Sequence, residues 1–384
     1  MTSQKTTFDG IERLEKTNSV TDIDLEILSR LQVDINEIKK EGLYIFGVGT
    51  LGQKIHKFLT KINIGIKGYV DNNSRFHGQQ LDGSTIFNAN VLTSESIIYI
   101  ASETYSYAIQ HQLNKLDLLR TVTHFQGGII FKSVEGFPFD NFYSGITQDL
   151  IINKEKYLQI FSLLKDEQSK VVFDRLIGYR LTADTEKIQF IASEGSLEYF
   201  DPSIMTLGES EVFMDCGGFD GDSALNFITY TGFKYKSIHI FEPDHQLLTK
   251  AKERLKEFER ISYNEKGIFD KTATLYFNST GGLDGSINNV GNIKIETVSI
   301  DQYKFEDIPT YIKLDIEGVE IEALNGAIKT IKNHTPKLAI AGYHYPKHFW
   351  EIPLRVLEIN TGYSLHLRHY SNCLFGSTYY FIPK

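Results

Sequence analysis

Asp215, Glu242, Asp315 and His344 each stand at or just beyond the end of a short apolar run. Val212-Phe-Met214 precedes Asp215, Ser237–Phe241 precedes Glu242, Tyr311–Leu314 precedes Asp315, and Pro336–Ala341 runs towards Tyr343-His344. In an open α/β sheet, ligands bind beyond the carboxyl ends of the strands, so such ends would share one crevice. A carboxylate offers two acceptor oxygens, so Glu242 could accept from both hydroxyls of a ribose. Asp215 could take up an ammonium group, directly or through water.

The glycines after Asp215 narrow the ligand. The pattern is Asp-x-Gly-x-x-x-Gly, and an acidic residue ahead of the glycines suits a cationic, amino-acid-bearing nucleoside better than a pyrophosphate. S-adenosylmethionine meets each requirement. Gly217, Gly218 and Gly221, leading into Asp222, would let backbone approach its methionyl part. Glu242, followed by Pro243, would read its ribose. The turn Lys266-Gly267-Ile268-Phe269 follows the third strand, where the adenine would lie. Singly, Asp215 as a helix N-cap and Glu242 as a turn residue would also explain those positions. Together, at successive strand ends, they favour the methyl donor.

Strand-like and helix-like runs alternate from residue 199 to 384, which predicts a doubly wound, mostly parallel sheet. Runs near Ser364–Leu367 and Tyr379–Ile382 would add an antiparallel edge pair. Ile321, Leu324, Ile328 and Ile331 recur at helical spacing, so one helix is expected over Gly318–Asn333. Upstream, residues 1–20 read as frayed and Thr21–Lys40 as one amphipathic helix. A second glycine motif, Gly47-Val-Gly49-Thr-Leu-Gly52, follows the strand Leu43–Phe46. The strand Gly65–Val70 then ends at Asp71, where a ribose would be read. Gly47, Gly49, Gly52 and Asp71 are thus a possible second nucleotide site; the competing account is glycines that only allow close helix–strand packing. The segment Gly68-Tyr-Val-Asp-Asn-Asn73 with His77-Gly78 resembles Rossmann-like modules attached to bacterial sugar-modifying enzymes. The expected organisation is a helical segment (1–40), a smaller Rossmann-like α/β domain (41–130), a helical connector (131–198) and a catalytic domain (199–384).

Composition sets the remaining bounds. A net charge of −9 argues against nucleic acid, whose phosphates need a basic face. Cys216 and Cys373 have no metal-ligand spacing and suit a reduced, cytoplasmic protein. No apolar run is long enough to span a bilayer.

At this point residues 199–384 resemble the FkbM family of methyltransferases. The residues that carry the resemblance are Tyr199-Phe-Asp-Pro202, Glu211-Val-Phe-Met-Asp-Cys-Gly-Gly-Phe-Asp-Gly-Asp222, Phe241-Glu-Pro243 and Tyr311-Ile-Lys-Leu-Asp-Ile-Glu-Gly-Val-Glu320. The resemblance implies a class I fold and methyl transfer from S-adenosylmethionine to an oxygen, often on a sugar or polyketide. A sugar or sugar nucleotide used for a surface glycan is the expected acceptor. The rival readings are a nucleotide-binding scaffold without turnover and an NAD-dependent oxidoreductase. A sugar hydroxyl is a weak acid, so a base is needed. His344 is the expected base, with Asp315 or Glu317 orienting it or holding the acceptor. Glu317 and Glu320 could instead favour the following helix N-terminus. Asp315, Glu317 and His344 suit a metal by type, but no compact ligand motif accompanies them, so none is expected. Ser286, beside the glycine loop Gly281-Gly-Leu-Asp-Gly285, is a further candidate for contact with cofactor or acceptor. A homo-oligomer remains open.

Overall fold

The computed structural model describes residues 7–138, 140–143, 145–278, 286–288 and 293–384. Contacts divide the chain into two units. The first comprises Met1–Glu155, Phe173–Ile191 and Ser371–Leu374; the second comprises Lys156–Val172, Ala192–Tyr370 and Phe375–Lys384. The segment expected as a connector is therefore shared between them.

The first unit is built on short apolar runs. They are β1 (Leu43–Phe46), β2 (Ile66–Val70), β3 (Gln80–Leu81), β4 (Ser84–Phe87), β5 (Ile98–Ile100) and β6 (Thr121–Thr123). Their order is β3-β4-β2-β1-β5-β6, parallel except for the β3–β4 hairpin. Ile98, Tyr99 and Ile100 are fully buried, as a strand covered on both faces requires. Helix Thr50–Lys61 buries Ile55, Phe58 and Leu59 in the same core.

Two expectations near the N-terminus change. Asp9–Lys16 is helical rather than frayed, with Leu14 fully buried and the Ile11 N–H donating to Asp174 Oδ1 at 2.9 Å. The single helix over Thr21–Lys40 is two, Val20–Ser29 and Ile35–Glu41. Asp34 stops the run because its carboxylate accepts the Asn36 and Glu37 N–H groups, and Glu37 returns the bond to the Asp34 N–H. That reciprocal cap fixes a helix start.

The second unit holds the central sheet. Its strands are β7 (Val212–Cys216), β8 (Ser237–Phe241), β9 (Ile261–Asn264), β10 (Gly267–Ile268), β11 (Ala273–Asn278), β12 (Ser286–Asn288), β13 (Ile293–Val298), β14 (Tyr311–Leu314), β15 (Lys337–Ala341), β16 (Tyr363–His369) and β17 (Ser377–Pro383). Seven form one sheet, β16-β17-β15-β14-β7-β8-β9. It is parallel from β9 to β15 and antiparallel at β17 and β16, so the closing pair falls where expected. A smaller sheet has the order β10-β13-β11-β12. Every residue of β7 and β14 is buried. Connections leave β7 towards β8 on one side while β14 lies on the other, which makes the β7–β14 boundary the switch point and opens a crevice at its carboxyl edge.

The helix expected over Gly318–Asn333 is also two, Glu320–Asn325 and Ile328–His334. Gly326 marks the break. A Cβ there would lie 2.3 Å from the Phe269 carbonyl oxygen, so backbone passes too closely for any side chain.

Candidate active site

The glycine turn is dictated by a crossing of two strand ends. Gly217 has φ of +77°, and a Cβ on it would lie 1.8 Å from the Asp315 carbonyl oxygen. Only glycine fits. Its N–H and that of Gly218 both donate to the Phe241 carbonyl, at 3.0 and 3.1 Å, tying the turn to β8. Gly221, also at positive φ, packs against Ala251 and starts helix Asp222–Tyr230.

Asp215 faces inwards. It is fully buried, with Lys313 Nζ 3.0 Å from Oδ1 and the Ser223 hydroxyl donating to Oδ2 at 2.6 Å. Lys313 also donates to the Gly217 carbonyl at 2.7 Å. The two residues are register partners across β7 and β14. Burial alone would lower the Lys313 ammonium, but Asp215, then Asp315, outweigh it and hold the group above its usual range. Asp215 is thus the buried partner of Lys313. The structure brings Asp215, expected to take up a ligand ammonium directly or through water, to Lys313 and Ser223, and Asp215 does not line the crevice.

The crevice itself is a cavity of about 630 Å³, within the usual size range for small-molecule sites. Gly217, Phe219, Asp222 and Ser223 line it from β7 and the following helix. Phe241, Glu242, Pro243 and Leu247 line it from β8 and beyond; Gly267, Ile268, Ile295 and Thr297 close it from the smaller sheet. Gly218 and Gly221 are not on this wall and act through the shape of the turn. Glu242 is nearly buried, and each of its oxygens accepts one backbone N–H: Oε2 from Phe219 at 3.0 Å and Oε1 from Asp244 at 2.9 Å. Burial raises its carboxyl above the usual value despite these bonds. Each oxygen keeps a lone pair, so the fixed carboxylate can still accept two ligand hydroxyls. Beside it Phe241, Ile268 and Leu247 supply apolar surface suited to a base. These residues fit S-adenosylmethionine in their donor set.

At the end of β14 the chemistry changes. Tyr199 donates its hydroxyl to Asp315 Oδ2 at 2.8 Å, and the Tyr343 hydroxyl lies 3.3 Å from Oδ1. Glu198, Tyr199, Asp315, Glu317 and Tyr343 all line the cavity. Glu317 sits at φ +58°, a conformation that costs a non-glycine residue energy and clusters at functional sites. His344 is behind this wall, its side chain 5% exposed, with Nε2 3.4 Å from Asp315 Oδ1 and 3.6 Å from Glu317 Oε2, and Nδ1 3.0 Å from Glu320 Oε1. Burial would lower His344, but Glu320, Asp315 and Glu317 outweigh it and raise it to about 9. That shift favours the protonated imidazole, which has no lone pair to act as base, and so weighs against the role expected for His344. Glu320 does not act through the helix end alone; its Oε1 accepts the Ile316 and Gly318 N–H groups, fixing the loop.

Glu198 is the residue that sequence reasoning missed. Burial, then the charge of Asp315, push its carboxyl up to about 7, and Thr378 donates to its Oε1 at 3.2 Å. Its one signal was adjacency to Tyr199-Phe-Asp-Pro202. Lys313 could have been singled out as a charge inside an otherwise apolar strand. Gly281–Gly285 lies outside the described residues, as does the side chain of Ser286.

In the first unit, Gly52 lies against Gly47, where a Cβ would meet the carbonyl oxygen at 2.1 Å. Asp71 turns back on this loop, its Oδ2 accepting the Val48 N–H at 3.3 Å and its Oδ1 that of Asn73 at 2.7 Å. Close packing explains Gly52; Gly49 has open space around it.

Residues 215–369 match the model of the methyltransferase FkbM domain. Residues 215–369 of the second unit are thus similar to an FkbM methyltransferase domain. The chain is accordingly a methyltransferase whose methyl donor is S-adenosylmethionine. Residues 39–120 match a second model, the C2185-like N-terminal domain. Among solved structures, an FkbM methyltransferase from Methylobacillus flagellatus KT superposes with a TM-score of 0.80 at 21% identity, over 97% of this chain and 98% of that one. A SAM-dependent methyltransferase from Aquifex aeolicus matches at 16% identity, TM-score 0.31, over 52% of this chain and 99% of that one. No curated protein matches the chain. Among the described residues, no helix is long and apolar enough to cross a membrane.

Proposed function

We propose that the FkbM domain methylates a hydroxyl oxygen of a carbohydrate acceptor, a sugar or sugar nucleotide destined for a surface glycan. One observation carries this reading: the cavity wall is divided in two. Glu242 and its apolar neighbours end β8, whereas Glu198, Tyr199, Asp315 and Tyr343 gather at the end of β14. With β7 between them, the two groups lie two strand spacings apart, about 10 Å. The first group suits an adenosyl ligand. The second is a cluster of hydroxyls and carboxylates of the kind that sorts polyols by hydrogen bonding.

S-adenosylmethionine supplies an activated methyl group when bound. This chain must align the acceptor oxygen and take its proton. Asp315, fixed by Tyr199, would hold the acceptor hydroxyl. Glu198 would accept the proton, since a carboxylate at about 7 is matched to that task near neutral pH. Glu317 would contact a second acceptor group from the rim.

The experiment is transfer of a labelled methyl group to a panel of sugar nucleotides, free sugars and phenolic hydroxyls. The proposal expects product from at least one carbohydrate and about a hundredfold less, or lower, after Glu198→Gln. Product from phenols alone would reject the carbohydrate reading.

A further inference from the structure

We infer that Asp315, Glu320 and His344 form a binding site for a divalent cation beside the cavity. Each offers one ligand atom, and these atoms all lie within 4.8 Å of one another. Glu317 Oε2, 3.6 Å from His344 Nε2, adds a further carboxylate at the rim.

The contacts inside this cluster are not those of a finished hydrogen-bond network. The His344 ring is almost wholly buried, and neither ring nitrogen makes a hydrogen bond although carboxylate oxygens stand 3.0 and 3.4 Å away. Glu320 is fully buried, and its Oε2 makes no hydrogen bond although His348 Nδ1 stands 3.3 Å away. Buried polar atoms left this way cost about 1–3 kcal/mol each, and native structures contain few of them. Here three fall in one cluster. A divalent ion would take one His344 nitrogen and one oxygen each from Asp315 and Glu320, leaving the other ring nitrogen to donate to a carboxylate. It also neutralises both Asp315 and Glu320, which a proton on His344 cannot do.

The donor set selects the ion class. Two carboxylate oxygens and one imidazole nitrogen suit Mn²⁺ and its neighbours in the first transition row better than Ca²⁺, which prefers oxygen alone. Closing on the ion at about 2.0–2.2 Å per bond requires the side chains to move inwards by roughly an ångström. The supports for such a site are present. Tyr199 orients Asp315 and two backbone N–H groups orient Glu320; such outer contacts tune metal affinity. Asp315 and Glu317 open on the cavity, which supplies an entry path and a place for a water or an acceptor oxygen on the ion. Under the proposed methyl transfer, the cation would polarise the acceptor hydroxyl before Glu198 takes its proton. Cation binding itself does not rest on that reading.

The full chain is stripped with chelator, dialysed and titrated with MnCl₂ alone, with neither donor nor acceptor present. Free Mn²⁺ is followed by electron paramagnetic resonance. One ion per chain with a sub-millimolar dissociation constant is expected, together with a nitrogen coupling in the electron spin echo spectrum. His344→Gln should abolish that coupling and weaken binding by about tenfold or more. Absence of sub-millimolar Mn²⁺ binding to the wild-type chain would overturn the site, whatever the methyl-transfer assay gives. So would wild-type affinity in folded His344→Gln or Glu320→Gln. Because the wild-type titration stands alone, a variant that fails to fold leaves the test intact.

Discussion

Lys313→Met is the perturbation that bears most directly on why the site holds its shape. Lys313 is 2% exposed, and its ammonium bridges Asp215 on β7 and the Gly217 carbonyl in the turn. Methionine fills similar volume without the charge. It leaves the fully buried Asp215 carboxylate with one described partner, the Ser223 hydroxyl. Removing one member of a buried ion pair costs about 3–5 kcal/mol, because the other charge remains desolvated. Asp215→Asn alone strands the ammonium and should cost a similar amount. The double variant should recover part of the loss, giving a coupling energy of about 2 kcal/mol or more. The assay is urea denaturation followed by tryptophan fluorescence. Trp350 is the sole tryptophan and sits in helix His348–Ile359 of the second unit, so the signal reports that unit alone. A Lys313→Met stability within about 1 kcal/mol of wild type would refute the reasoning, as would strictly additive single effects.

Three other outcomes are expected. Gly217→Ala forces an L-residue to φ +77° and drives its methyl group into the Asp315 carbonyl, so the second unit should lose more than about 2 kcal/mol by the same fluorescence assay. If Glu198 is the base, turnover at saturating substrates should rise as pH passes upwards through about 7 and then level, because only the deprotonated carboxylate accepts a proton; a profile that falls over that range contradicts the assignment. Glu198→Gln should lower turnover by about a hundredfold or more while donor affinity stays unchanged; calorimetric loss of donor binding in that variant would show a different role.

The sequence carried the architecture well where physics is local. Val212–Cys216 and Tyr311–Leu314 read as buried parallel strands because little else tolerates such short apolar runs bounded by glycine and acid. Glu242 was legible for the same reason: it follows a strand and precedes a proline, and the crevice of a doubly wound sheet lies there. What depended on register was not legible. Asp215 and Lys313 meet because β7 and β14 are neighbours aligned residue for residue, and spacing along the chain contains no trace of that pairing. His344 was judged by its residue type, whereas its behaviour follows from three carboxylates brought to it by a loop and a helix start. Glu198 was hidden in a stretch read as connector. The breaks at Asp34 and Gly326 were missed because apolar periodicity continued across both, while a side-chain cap and a backbone crossing decided the outcome.

The measurement that tests the central claim most directly is calorimetric titration of S-adenosylmethionine into the wild-type chain and into Glu242→Gln. Glutamine keeps one acceptor oxygen for the backbone but loses the charge and the second acceptor that a ribose needs. The account predicts saturable binding to the wild-type chain and a loss of about 1.5–3 kcal/mol, roughly ten- to a hundredfold, in the variant, with Trp350 fluorescence unchanged. Equal affinity in the two proteins would contradict the placement of the donor in the crevice between β7 and β8.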